Sequence, residues 1–191
     1  MFNIVDDFLD IDKFSDICDI VHGQKLDWRI GVPNPNSQDD LWHALHQIVR
    51  EGEKLDSPHN FMVDYLVEAT QKIFKKSVGI LRFRVNLFAR EQKPIGLGYH
   101  TDWPRSDLTK WKSQGLLDDS DIFSLLLYLE DSNGKTEFKD AQTFSGIKMK
   151  AVESISNRAL IFPANCEHQT LMHTDILFRT NINMNFKFYD N

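Results

Sequence analysis

Cysteine is almost missing from this 191-residue chain: Cys18 and Cys166 are the only two, far apart and without a spacing pattern. That excludes a disulfide scaffold and an all-thiolate zinc site, and it suits a reducing cytoplasm. Basic residues are also short, 22 Lys and Arg against 28 Asp and Glu, and no basic block occurs. Without one there is no electrostatic footprint for tracking a phosphate backbone, which argues against a nucleic-acid substrate. Long apolar runs are missing too. The acidic opening "MFNIVDDFLD" holds no stretch suited to a signal peptide or a membrane span, so a cytoplasmic protein with no membrane partner is expected. There is no Gly-x-Ser-x-Gly, no His-Glu-x-x-His and no phosphate-binding glycine loop with Lys, which removes the common hydrolase and nucleotide-binding signatures. What remains, 41% apolar and 26% charged, fits one soluble domain able to bury a real core.

The apolar spacing of "DDFLDIDKFSDICDIVHG" fits an amphipathic helix from about Asp12 to Gly23. Residues 31–40, "GVPNPNSQDD", read as a loop, and a short helix is expected around Leu41–Val49. "NFMVDYLVEATQKIFKKS" (60–77) is a stronger helix with a lysine-rich end. After Gly79 the period changes to two. "ILRFRVNLFA", "FSLLLYLE" (123–130), "TEFKDAQTF" (136–144), "IKMKAVES" (147–154), "RALIF" (158–162) and "LFRTNINMNFKFY" (177–189) read as strands punctuated by turns. Helices followed by strands, without regular alternation, favour an antiparallel sandwich or barrel covered by N-terminal helices.

Two strands are more polar than solvent exposure requires. Arg179, Asn181, Asn183 and Asn185 share one face of the last strand; Arg82, Arg84 and Asn86 share one face of the first. Such faces either meet water or line a polar interior. Asparagine is depleted in strands, so its repetition favours the interior.

The tripeptide His-Thr-Asp occurs twice, at 100–102 and 173–175. In extended chain His100 and Asp102 point the same way and can reach one ion. A third ligand must come from elsewhere, and His168, at the end of "RALIFPANCEH", is the best placed. Arg179 follows eleven residues later, on a strand able to pair with the His168 segment. One hairpin is thus expected to present an imidazole to a metal and a guanidinium to the far carboxylate of its ligand. His173 and Asp175 fall in the intervening turn, with nothing to shape them into an inward pair. His22, His43, His46 and His59 read as surface or half-buried residues.

His100-x-Asp102, His168 and Arg179 in that order resemble the iron(II)- and 2-oxoglutarate-dependent dioxygenases, most closely the small prolyl-hydroxylase-type members of marine phages and bacteria. "NIVDDFLDIDKF", "RVNLF", "LLLYLEDSNGKTEF", "SISNRALIFPANCEH" and "FRTNINMNF" carry the likeness over most of the chain. Glu130 stands where Asn is frequent, Lys135 replaces one glycine of a usual pair, and Phe88 replaces a common Tyr. The resemblance implies a double-stranded β-helix, the jelly-roll barrel of cupin type, as one domain over 1–191, with 1–78 a mostly helical cover and 79–191 the core. It implies Fe(II) held by His100, Asp102 and His168, with 2-oxoglutarate and O2 as co-substrates. Arg179 would bind the C5 carboxylate, and Tyr128, Asn86, Thr136 and Asn181 would contact 2-oxoglutarate or its neighbours. It also implies oxidative decarboxylation to succinate and CO2 coupled to hydroxylation. Halogenases of the superfamily carry a small residue in place of Asp102, so chlorination is not expected.

Trp103 and Arg105 are placed to line a substrate entrance, and residues 103–121 to form a lid. The substrate is expected to be a small molecule or a peptide, with a peptidyl or free amino acid favoured. The rivals are a cupin-type isomerase or sugar-binding metal protein, and an inactive jelly-roll interaction module. Cupin-type sites gather more histidines and need no arginine partner; an intact triad argues against decay, though fold alone never proves activity.

Overall fold

A computed structural model describes residues 1–23, 25–31, 43–103, 122–144 and 146–189. The elements run β1 (Asn3–Val5), α1 (Ile11–Val21), β2 (Arg29–Gly31), β3 (His43–Arg50), β4 (Glu53–Lys54), α2 (Phe61–Phe74), β5 (Ser77–Ala89), β6 (Ile122–Tyr128), β7 (Ser132–Phe144), β8 (Ile147–Ser154), β9 (Ala159–Pro163), β10 (His168–Leu171) and β11 (Phe178–Tyr189). Among the described residues eight strands form one sheet, ordered β1-β9-β6-β11-β5-β3-β2 with β4 on β3, and three form a second, ordered β10-β7-β8. All the pairings are antiparallel. The chain is therefore mainly β, as the period-two stretches require.

The alternation of β5, β6 and β11 divides the large sheet into two unlike faces. On the outer face Phe83, Val85, Leu125, Leu127, Ile182, Met184 and Phe186 are buried in one cluster with Phe14, Ile17 and Val21 of α1 and Met62, Val63 and Leu66 of α2. The helices thus cover an apolar face, and burial of that face is the main force holding them there. Among the described residues no helix is long and apolar enough to cross a membrane.

Two expectations need correcting. The segment expected to be a helix at Leu41–Val49 is strand β3 from His43. Its register against β5 passes from Gln47↔Arg84 to Val49↔Phe83, leaving Ile48 as an extra residue. The bulge buries Ala44, Ile48 and Val49, a spacing of four then one that imitates a helical stripe. The proposed hairpin of His168 with Arg179 is also absent. The His168 strand β10 pairs with β7 in the small sheet, whereas β11 pairs with β5 and β6 in the large one. Residues 172–177 carry the chain from one sheet to the other, so the two side chains come from different layers.

Asn157 ties the N-terminal segment to the barrel. It has φ 58°, in the left-handed region that asparagine tolerates. Its side chain accepts from Leu9 N at 3.0 Å and donates to Leu9 O at 2.8 Å, while its backbone N–H donates to Tyr128 O. Asn157→Ala is expected to destabilise the protein by about 1–3 kcal/mol, since both Leu9 groups lose their partner in a buried place. Urea unfolding of the variant checks this.

Candidate active site

The inner face of the large sheet is a ladder of polar rungs running across β6, β11, β5 and β3. Register sets Arg179, Phe88 and His43 side by side; then Tyr128, Asn181, Asn86 and Leu45; then Leu126, Asn183, Arg84 and Gln47; then Ser124, Asn185 and Arg82. Asn86, Asn181, Asn183, Asn185 and Arg179 are all buried. These polar strand faces therefore line an interior.

Over this floor lie the three candidate metal ligands. One ligand atom each of His100, Asp102 and His168 falls within 4.8 Å of the others, the one such group among the described residues. A backbone bridge pairs the two histidines: His100 N–H donates to His168 O and His168 N–H to His100 O, both at 2.9 Å. Their rings are 4.6 Å apart. Nδ1 of His168 lies 2.9 Å from Cys166 O, and Nδ1 of His100 lies 3.2 Å from Gly98 O. A carbonyl can only accept, so each ring donates from Nδ1 and leaves Nε2 as the atom that can face a metal. Burial is the main cause holding the His168 pKa below its usual value, which keeps it neutral.

Asp102 is almost fully buried and accepts on both oxygens from Asn183 Nδ2, at 3.1 and 3.0 Å. Arg82 donates to its Oδ1 and its backbone O at 3.1 and 3.0 Å, and Arg84 lies 3.9 Å away. Burial alone would raise its pKa, but the Arg82 and Arg84 guanidiniums beside it hold the carboxyl well below the usual range. The donor set, two imidazoles and one carboxylate with second partners in place, fits a divalent metal of the Fe(II) type.

Arg179 sits at the other end of the floor, fully buried, with its guanidinium 5.3 Å from the Phe88 ring. Nη1 reaches Leu171 O at 3.4 Å, and Nε and Nη2 have no hydrogen-bond partner among the described residues. Burial pushes its pKa down. A buried guanidinium with open donors fits a carboxylate ligand. Nearby, Tyr128 Oη donates to Thr136 Oγ1 at 2.7 Å, and Asn86 Nδ2 to Asn181 Oδ1 at 2.9 Å. Burial pushes the Tyr128 hydroxyl up to about 12, so it stays protonated.

Two of the three departures from the dioxygenase pattern, Lys135 and Glu130, find physical reasons here. A Cβ on Gly134 would overlap Nη1 of Arg179 and come within 3.0 Å of the His173 Cβ, so this glycine makes room for the guanidinium. Lys135 points outward to Glu153 at 3.0 Å, where a side chain costs nothing. Glu130 accepts from the Thr180 N–H and hydroxyl and pairs with His22 at 2.9 Å, tying α1 to β11. Gly134→Ala is expected to displace Arg179 and weaken binding of a dicarboxylate such as 2-oxoglutarate by about tenfold, read by calorimetry.

The second His-Thr-Asp does not form a ligand group. Asp175 Oδ2 accepts from Asn133 N, and Thr174 exchanges two hydrogen bonds with the Asn133 side chain. His173 is fully buried against the Arg179 end, with both ring nitrogens unpartnered among the described residues. Trp103 packs on Leu81, Ile122 and Ala164, and Arg105 lies outside the described residues, as do residues 104–121. Sequence reasoning assigned no role to Asn183, Arg82, Arg84 or Gly134. The repeated Asn and Arg on alternating positions were the signal for the first three.

No protein-family model matches the chain, and no curated protein matches it. Solved structures do. An oxidoreductase of the 2OG-Fe(II) oxygenase family from Burkholderia pseudomallei superposes with a TM-score of 0.68, at 11% identity, over 98% of this chain and 85% of that one. The fold is that of the 2OG-Fe(II) oxygenases. A Trichoplax adhaerens prolyl hydroxylase, solved with a peptide fragment of hypoxia inducible factor, gives 0.66 at 15% identity, over 97% of this chain and 83% of its own. The non-heme alpha ketoglutarate dependent epimerase SnoN of nogalamycin biosynthesis gives 0.63 at 11%, over 99% and 77%. Within one 2OG-Fe(II) oxygenase fold, then, stand a hydroxylase and an epimerase, and the reaction of this chain has to be argued from its site.

Proposed function

We propose that the protein is an Fe(II)- and 2-oxoglutarate-dependent oxygenase that hydroxylates a small-molecule or peptidyl substrate, with a peptidyl or free amino acid favoured. One observation carries this reading: a His100–Asp102–His168 group shares its polar floor with a buried arginine whose donors are open. Fe(II), with 2-oxoglutarate and O2, would supply oxidation of a C–H bond, giving succinate and CO2. His100 and His168 would hold the metal through Nε2 and Asp102 through its carboxylate. Arg179 would take the C5 carboxylate of 2-oxoglutarate, and Tyr128, Thr136, Asn86 and Asn181 would line its path. Phe162 and Phe138, buried in one cluster with Leu126 and Leu160, lie against the His168 ring at 4.7 and 6.2 Å and exclude water from that flank. Trp103 and Arg105 remain proposed substrate contacts, and a reducing cytoplasm the proposed compartment.

The cupin-type and inactive readings leave Arg179 without a purpose. Fe(II)-loaded protein given 2-oxoglutarate in air is expected to release succinate, slowly alone and faster with the right member of a panel of amino acids and short peptides. Unconsumed 2-oxoglutarate throughout that panel would contradict the proposal.

A further inference from the structure

Among the described residues the site holds more positive charge than the reaction proposed above uses. Arg82 and Arg84 both approach Asp102, which is the only carboxylate among the described residues that either one pairs with. Arg82 is hydrogen-bonded through two of its nitrogens: Nη2 donates to Asp102 and Nε to Asn185 Oδ1 at 2.7 Å. Arg84 stands 3.9 Å from the Asp102 carboxylate, beyond hydrogen-bond length, and its buried Nε has no partner among the described residues. Its side chain is still 23% exposed, so a ligand can reach it. One carboxylate thus faces two guanidiniums before any metal is counted. A divalent ion would absorb the charge of Asp102 and widen the excess, and Arg179 already answers the far carboxylate of 2-oxoglutarate. Desolvation of an uncompensated cation is unfavourable unless an anion arrives. Burial, with Arg82 adding to it, pushes the Arg84 guanidinium down to about 10.

The surroundings of Arg84 suit a ligand. It lies on β5 next to Asn183, whose Oδ1 is also unpartnered among the described residues. His43, on the neighbouring strand β3 four residues from Gln47, the register partner of Arg84, and stacked 5.8 Å from Phe88, is half-buried. Its pKa is lowered by burial first and then by Arg84 and His100.

We propose that Arg84 anchors an oxyanion, a carboxylate or a phosphate, carried by the primary substrate and held beside the metal ligands at a place separate from Arg179. This rests on the oxygenase reading and deepens it, since it selects substrates with a free anionic group near the oxidised carbon, such as a free amino acid, over an uncharged stretch of peptide. Arg84 is a binding residue in this account. The competing source of the same chemistry is the C1 carboxylate of 2-oxoglutarate itself.

The test uses Zn(II)-loaded protein, which cannot turn over, titrated with trifluoroacetate and with monofluorophosphate and read by 19F NMR, with and without saturating 2-oxoglutarate. At least one probe is expected to bind in the presence of 2-oxoglutarate, and Arg84→Met to weaken it by about tenfold or more. Arg84→Lys should restore part of that affinity, and circular dichroism confirms that each variant is folded. The affinity for 2-oxoglutarate should change less than about twofold in Arg84→Met. The proposal is overturned if neither probe binds the wild type, or if Arg84→Met and Arg84→Lys both leave probe binding unchanged. It is equally overturned if 2-oxoglutarate displaces the probes and loses affinity in Arg84→Met, which would give Arg84 to the co-substrate. If wild-type protein binds no 2-oxoglutarate at all, the oxygenase reading fails, and Arg84-dependent probe binding still decides the oxyanion site.

Discussion

Arg179→Met is expected to give a folded protein that binds Fe(II) as the wild type does and 2-oxoglutarate at least about 30-fold more weakly. The weakening follows from removing one member of a buried charge pair, which costs about 2–5 kcal/mol of binding. Unchanged folding follows from the free protein. Arg179 is fully buried against Phe88 and forms no ion pair among the described residues, so it carries a desolvation cost with little return. A methionine of similar length keeps the packing and removes that cost, so the melting temperature should hold or rise. Arg179→Lys should recover only part of the affinity, because a lysine lacks the planar fork. Calorimetry with 2-oxoglutarate and thermal melts read both halves. A variant that melts much earlier yet binds 2-oxoglutarate normally would make Arg179 a structural residue.

Asp102→Asn is expected to lower Fe(II) affinity by about 100-fold or more and to destabilise the metal-free protein. The metal effect comes from exchanging an anionic ligand for a neutral one between two guanidiniums. In the metal-free protein, Arg82 and Arg84 lose their common counter-charge. Each is about one-fifth exposed, so the cost is about 1–3 kcal/mol, below that of a fully dry pair. Its pH dependence has a definite sign. The folded carboxyl lies below its unfolded value of about 3.9, so its contribution is complete above that pH and fades as pH falls towards the folded value. The stability gap between wild type and variant should therefore be widest near neutral pH and close in acid. A gap that widens in acid would mean that Asp102 is not the ionised partner of these arginines.

The barrel was legible wherever one strand face is apolar and the other is not. In β5 and β11 the alternation gave both the strands and, through repeated asparagine, the polar interior. His100 and Asp102 could be paired from sequence because residues two apart in extended chain share a side. β3 was misread because its bulge at Ile48 breaks the period of two and leaves buried residues at helical spacing. The expected His168–Arg179 hairpin failed for a different reason: nearness in sequence says nothing about which sheet a strand joins. Neighbours distant in sequence, such as Gly134 with Arg179 and Asn183 with Asp102, are set by that same topology and leave no local trace. Arg84 was visible as part of a polar face, but its open Nε exists only once its neighbours are placed.

The most direct test of the account is to mix the protein anaerobically with Fe(II) and 2-oxoglutarate and record the visible spectrum. The account predicts a weak metal-to-ligand charge-transfer band that is absent in Asp102→Asn and needs far more 2-oxoglutarate in Arg179→Met. A protein shown to hold Fe(II) that gives no band at saturating 2-oxoglutarate would contradict it, and the site would then be that of a metal protein of another kind.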